Sequence, residues 1–220
     1  MSFKFYILKA ALPRFLDGVR VTLSYTVVAV ALAIVWGVLI GSIIHWRIPV
    51  LSRVTRWYVT FFRETPLLVQ MYVIFYGLPQ IGVLWSASVC GVLALVLNDG
   101  AFIAEIIRGG LQSIDKGQSE AASSLGFTRL QAWWYFILPQ AWKKVMESII
   151  GMISIILKDT SLLAMITITE LTSVAQKVNS QRFEPTTAFL TAAILYFLMF
   201  LIVEGIKTIV ISRRRRNECK

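Results

Sequence analysis

VTLSYTVVAVALAIVWGVLIGSII, residues 21–44, carries no charged side chain over 24 positions. A hydrocarbon core of about 30 Å takes roughly 20 apolar residues at about 1.5 Å rise per residue, so this stretch predicts a membrane-spanning helix. Gly37 and Gly41 sit four apart within it, a spacing that lets a neighbouring backbone come close. The rest of the chain agrees with that setting. Of its 220 residues 57% are apolar and mean hydropathy is +0.70, which excludes a water-facing globular surface.

Before this span, Met1 to Arg20 holds Lys4, Lys9, Arg14, Asp17 and Arg20 and reads as a short amphipathic helix in the membrane interface. The same charges leave no sustained apolar core with a small-residue cleavage site, so no removable leader is expected. After it, apolar stretches recur at Pro66 to Ile81, Trp85 to Ile107, Met146 to Leu157 continuing toward Ile168, and Thr186 to Ser212. The expected architecture is all-α and polytopic, with five transmembrane helices plus an N-terminal interfacial helix. In domain terms, residues 1–18 form the amphipathic segment, 19–212 the membrane domain with a structured loop at 108–145, and 213–220 a basic tail. Arg213 to Arg216 act there as a cytoplasmic stop and an anchor to anionic lipid.

Lys and Arg counted over alternate connections fall 14 on one side and 6 on the other. The positive-inside rule assigns the fourteen to the cytoplasm, which puts the N-terminus outside and the C-terminus inside. That distribution explains the net charge of +10 better than nucleic-acid binding does, so no nucleic-acid partner is expected. Cys90 and Cys219 have neither disulfide nor metal spacing, and His45 is the single histidine. A membrane-embedded hydrolase would need a nucleophile with a base, or paired metal ligands; no catalytic or metal-binding residue is assigned. An ion channel is a further alternative, but no filter or charged ring is legible and the long loop would go unexplained.

That loop contains GQSEAASSLGFTRLQAWWYFILPQA, Gly117 to Ala141. Gln118 to Leu125 can form two helical turns, Glu120 is expected in the first of them, and Ala121 with Ala122 offers a low-profile surface. Gly126 permits the left-handed residue that ends a helix. Glu120, Ala121, Ala122, then Gly126, then Leu138 and Pro139 resemble the EAA loop of bacterial ABC-importer permeases. Phe136 departs from that pattern, standing where a branched aliphatic is usual.

Further stretches are similar to the subfamily importing polar amino acids and opines: GVRVTLSYT at 18–26, FRETPLLVQ at 62–70, AEIIRGGLQSIDKGQSEAASSLG at 104–126, LKDTSLL at 157–163 and TELTSVAQ at 169–176. The resemblance implies a type I ABC-importer permease fold in the cytoplasmic (inner) membrane. It implies a subunit that translocates polar L-amino acids or close analogues such as cystine. The implied partners are two ATP-binding cassette ATPase subunits, a second permease chain (identical or related), an extracytoplasmic amino-acid-binding protein and membrane lipid. Gly117, Gln118, Glu120, Ala121, Ala122, Leu125 and Gly126 would couple to the ATPase. No G-x-x-x-x-G-K-[ST] loop occurs in the chain. No cofactor is therefore expected here, ATP and Mg being held by the partner ATPases.

Asn98 and Asp99 fall near the centre of the third span, where an isolated Asp costs about 2.5 to 3.5 kcal/mol on insertion scales. Two readings stand open: contact with the ammonium group of a passing amino acid, with Phe102 nearby, or a buried pair with Lys158 or another basic group. Relatives usually carry Ser or Thr followed by Ala at these positions and Tyr at the Phe102 position, so NDGAF is a departure. Glu105 and Arg108 stand at i and i+3 and can pair with each other or with Arg63 and Glu64. Glu64 itself replaces a glycine common in relatives, and Glu147 and Gly151 replace a proline and an asparagine. Lys158 and Asp159 match a KDTS stretch whose implied role is to hold the broken part of the fourth span.

Overall fold

The computed structural model describes residues 3–218, with side chains described as far as Ser212. The side chains of Arg213 to Arg216, to which the sequence assigns lipid anchoring, lie outside the described residues. The helices are α1 (Phe5–Trp46), α2 (Pro49–Glu64), α3 (Leu67–Tyr72), α4 (Ala87–Gln112), α5 (Lys116–Ser124), α6 (Arg129–Ala132), α7 (Leu138–Asp159), α8 (Leu171–Arg182) and α9 (Pro185–Glu218). Among the described residues, four helical stretches are long and apolar enough to cross a membrane: Phe5–Trp46, Ala87–Gln112, Arg129–Ile166 and Pro185–Ser212. Leu67–Ile81 is apolar but shorter. It is also irregular, passing from α3 through a π-helical turn at Val73–Gly77 to a 3-10 turn at Leu78–Ile81. Thr65 is extended (φ −107°, ψ 143°) between α2 and α3, as a residue before proline tends to be.

The chain forms two compact units. The first comprises residues 1–31, 67–95 and 153–220. The segment expected to lie apart in the interface is here the start of one 42-residue helix, α1. The physical reason is its apolar face. Ile7, Ala11 and Phe15 are buried in a cluster with Leu171, Val174 and Val178 of α8 and Ala188 and Ala192 of α9, so protein rather than lipid covers that stripe. Polar contacts fix the same end: Lys4 pairs with Glu184, and Arg14 Nη1 donates to Gln181 Oε1 at 2.8 Å. Thr22 Oγ1 accepts from the Leu171 backbone N–H at 3.2 Å. At about 1.5 Å per residue, a helix of this length far exceeds the roughly 30 Å apolar layer, which leaves its charged start outside it.

The second unit comprises residues 32–66 and 96–152. Gly37 and Gly41 face α4 so closely that a Cβ on Gly41 would stand 2.7 Å from the Ala104 carbonyl oxygen, and one on Gly37 2.4 Å from Ile103 Cγ2. Ile40, Ile44, Val59, Ala101 and Ala104 make the core of this contact. Trp36 Nε1 donates to the Tyr58 hydroxyl at 2.9 Å, which donates in turn to the Leu97 carbonyl at 2.6 Å. The loop expected at 108–145 is shorter than the sequence reading made it. Helix α4 runs on to Gln112, and the helical stretch that leads into the fourth apolar run already starts at Arg129. Trp133, Ile137, Ala141, Val145 and Ile149, every fourth residue, are buried, and that periodicity carries the helix backward from the fourth apolar stretch. Trp133 meets the rings of His45 and Trp46 at 5.3 and 5.1 Å.

Candidate functional site

The nine-residue helix α5 is defined by a device at each end. At its start, the side chain of Asp115 accepts the Gly117 N–H at 2.9 Å, satisfying a donor that the first turn leaves open. At its end, Gly126 adopts φ +83°. Its N–H donates to the Ser123 carbonyl at 3.0 Å, while the Phe127 N–H reaches back to Ala122 at 3.1 Å. This double closure is the Schellman arrangement, which needs a left-handed residue. Glu120 falls in the second turn, not the first as the sequence suggested. The carboxylate at the positive end of the helix is Asp115, which the sequence reading passed over although Asp directly before a helical run is a capping signal.

Among the predicted docking residues only Ala122 is buried; Gly117, Gln118, Glu120, Ala121, Leu125 and Gly126 are exposed, Leu125 at 75%. Gln118 is held from behind, its Oε1 accepting from Gln140 Nε2 at 3.0 Å. The approaches are tied as well. Lys144 Nζ donates to the Ser113 carbonyl at 2.7 Å, and Thr128 and Gln131 form a capping box ahead of α6. Phe127 and Phe136 meet edge to face at 5.0 Å. The arrangement is a short exposed rod on a braced base.

The second constellation lies where α2 meets the middle of α4. Asn98 and Asp99 are buried, at 5% and 1% exposure. Asn98 Nδ2 donates to the Phe62 backbone carbonyl at 2.7 Å. One residue on, the Arg63 guanidinium stands 5.3 Å from the centroid of Phe102. The structure thus brings Arg63, Asn98, Asp99 and Phe102 into one neighbourhood, while Glu64 is exposed at the end of α2. Near the C-terminal end of α4, Arg108 chelates Glu105, with Nε to Oε2 at 2.8 Å, and reaches Gln112 Oε1 at 2.6 Å. Lys158 and Asp159 belong to the first unit, where α7 gives way to a 3-10 turn at Thr160; Lys158 is exposed and Asp159 half-buried.

Comparison with known proteins agrees with the fold. The chain is 36% identical over 184 residues to the probable glutamine ABC transporter permease protein GlnP of Bacillus subtilis, covering 82% of this chain and 84% of that one. A crystal structure titled as an amino acid ABC transporter with histidines superposes with a TM-score of 0.89 at 33% identity, over 97% of this chain and 100% of that chain. A chain of the MetNI methionine ABC transporter, in an inward-facing form, shares the fold at TM-score 0.78 and 18% identity, over 91% of this chain and 95% of that chain. The family described as the binding-protein-dependent transport system inner membrane component matches residues 33–216, and the chain belongs to that family.

Proposed function

We propose that this chain is the permease subunit of an ATP-driven importer for polar amino acids or close analogues such as cystine, with α5 as the helix that docks on a separate ATPase subunit. The observation that carries the coupling role is α5 itself: capped at both ends, braced through Gln118, and exposed at every residue but Ala122. Relatives named for glutamine and octopine transport, and a structural neighbour titled as an amino acid transporter, support the substrate class. The short irregular segment Leu67–Ile81 supplies the fifth crossing in this reading. The N-terminus then lies outside and the C-terminus in the cytoplasm. ATP hydrolysis belongs to the partner subunits, substrate delivery to a binding protein outside, and the pathway to a pair of permease chains, identical or related.

In this scheme the chain's own work is mechanical. Closure of the ATPase pair on nucleotide displaces α5, and its braced base passes that displacement to the apolar helices as rigid-body motion. The group of buried Asn98 and Asp99 with half-buried Arg63 and Phe102 is proposed as the place where selectivity is set, with Asp99 as the counter-charge to a substrate ammonium. The test is purification of the tagged chain from membranes in mild detergent, with ATPase turnover of the recovered complex measured against a panel of loaded amino-acid-binding proteins. Recovery of an ATPase stimulated by one loaded binding protein is expected. A stable chain that recovers no ATPase under conditions preserving a known importer contradicts the reading. Asp99→Asn is expected to alter substrate preference with assembly intact; unchanged kinetics across the panel would leave Asp99 a structural group.

A further inference from the structure

Five cations converge on one cavity of the second unit. The cavity measures about 850 Å³ and is lined by Arg47, Arg56, Arg63, Arg108 and Lys116 against a single carboxylate, Glu105. Glu105 is committed to Arg108. Among the described residues the other four cations form no ion pair, and Arg63 Nε is buried without a hydrogen-bond partner. Like charges gathered in a concave site raise a strong positive potential that a bound anion relieves, and guanidinium forks match the oxygens of phosphate. The volume lies within the range of small-molecule pockets, which leaves room for a headgroup larger than phosphate alone.

The surroundings point to where that anion comes from. Beside the cavity's own lining residues, Trp46 and Trp57 are 48% and 74% exposed, and Val50, Leu51 and Val54 of α2 are exposed with them. Exposed tryptophans beside basic residues mark the headgroup level of a membrane protein. We propose that this cavity binds a phosphate-bearing anion, supplied as the headgroup of an anionic membrane phospholipid. Lys116 is the first residue of α5, so an occupant touches the root of that helix. The site is defined by its own residues and stands whether or not α5 docks an ATPase.

The full complex, exchanged into nanodiscs or mixed micelles, separates the outcomes. Native mass spectrometry with phosphatidylglycerol and phosphatidylcholine at equal mole fraction is expected to show preferential retention of phosphatidylglycerol. Each basic residue near a membrane surface contributes a free energy that makes the loss in the double variant Arg47→Gln/Arg56→Gln roughly thirtyfold. Both residues are exposed, which spares the fold, and Arg53→Gln, on the same helix but off the cavity wall, is expected to keep wild-type retention. Inorganic phosphate titrated into lipid-depleted complex is the second arm: binding there that the double variant loses would retain the site and make a soluble phosphate its source. Equal retention of the two lipids with no phosphate binding, or retention unchanged in the double variant, would overturn the proposal.

Discussion

Helices α5 and α8 both begin on a carboxylate cap, yet they are built to opposite purposes. Asp115 is exposed and takes one backbone N–H of α5. Glu170 is wholly buried and takes the N–H groups of Thr172 and Ser173 at 2.8 and 2.7 Å together with the Tyr196 hydroxyl at 2.7 Å. Helix α8 buries Leu171, Ser173, Val174, Ala175 and Val178, whereas α5 buries Ala122 alone. An isolated helix shorter than about 12 residues is marginal in water. Packing holds α8, while α5 depends on its two ends and keeps its surface for something else. A helix that spends so little of itself on its own protein leaves the surface that the proposed docking role requires.

Breaking each end of each helix tests that contrast, and the largest effect is expected at Gly126. Gly126→Pro forbids φ +83° and removes the N–H that closes the helix; ATP-coupled uptake should fall to background while membrane insertion, read by quantitative blotting, stays near wild type. Glu170→Ala comes next and acts on stability, not coupling. It strands the buried Ser173 N–H at about 1–3 kcal/mol and the half-buried Thr172 N–H beside it, so the detergent-solubilised chain should lose most of its folded yield and melt at lower temperature. Asp115→Ala removes an exposed cap worth about 1 kcal/mol. It should lower uptake several-fold with little change in melting temperature, the reverse of the Glu170 pattern.

The smallest effect is a pH slope. Burial pushes the Glu170 carboxyl up from its ordinary 4.5, more than its hydrogen bonds pull it down. The folded chain therefore holds this proton to higher pH than the unfolded chain does. The stability so gained is fully present below 4.5 and is lost as pH rises through the folded value. Glu170→Gln should flatten that part of the melting-temperature profile. An unchanged slope in the Gln variant would remove Glu170 as its source.

What could be read from the chain beforehand follows the reach of each interaction. The spacing of Gly37 and Gly41 and the glycine stop at Gly126 are local signals, and both elements sit where the spacing placed them. The i and i+3 pair of Glu105 and Arg108 is equally local. Asn98 was legible as a polar group in a span, but its partner is a backbone carbonyl 36 residues away, which no spacing announces. The start of α1 misled for a related reason. Ile7, Ala11 and Phe15 form a stripe that suits a headgroup layer as well as it suits a protein neighbour, and only the arrival of α8 and α9 decides between them. The early restart of helix at Arg129 was hidden by exposed Trp134 and Tyr135, which interrupt the look of a buried run although every fourth residue from Trp133 is covered. A helix read from Gln118 puts Glu120 in its first turn and leaves Asp115 outside, whereas α5 starts at Lys116 with Asp115 as its cap.

Site-directed cross-linking measures the central claim most directly. In a background with Cys90 and Cys219 replaced by serine, Ala121→Cys on α5 and Ser180→Cys on α8 both present an exposed thiol. With a short bifunctional thiol reagent, the α5 cysteine is expected to join the chain to a co-expressed ATPase subunit in a nucleotide-dependent yield, and the α8 cysteine to give no such product. Cross-linking to the ATPase from α8 in place of α5, or from neither position in a complex that still transports, would contradict α5 as the docking helix.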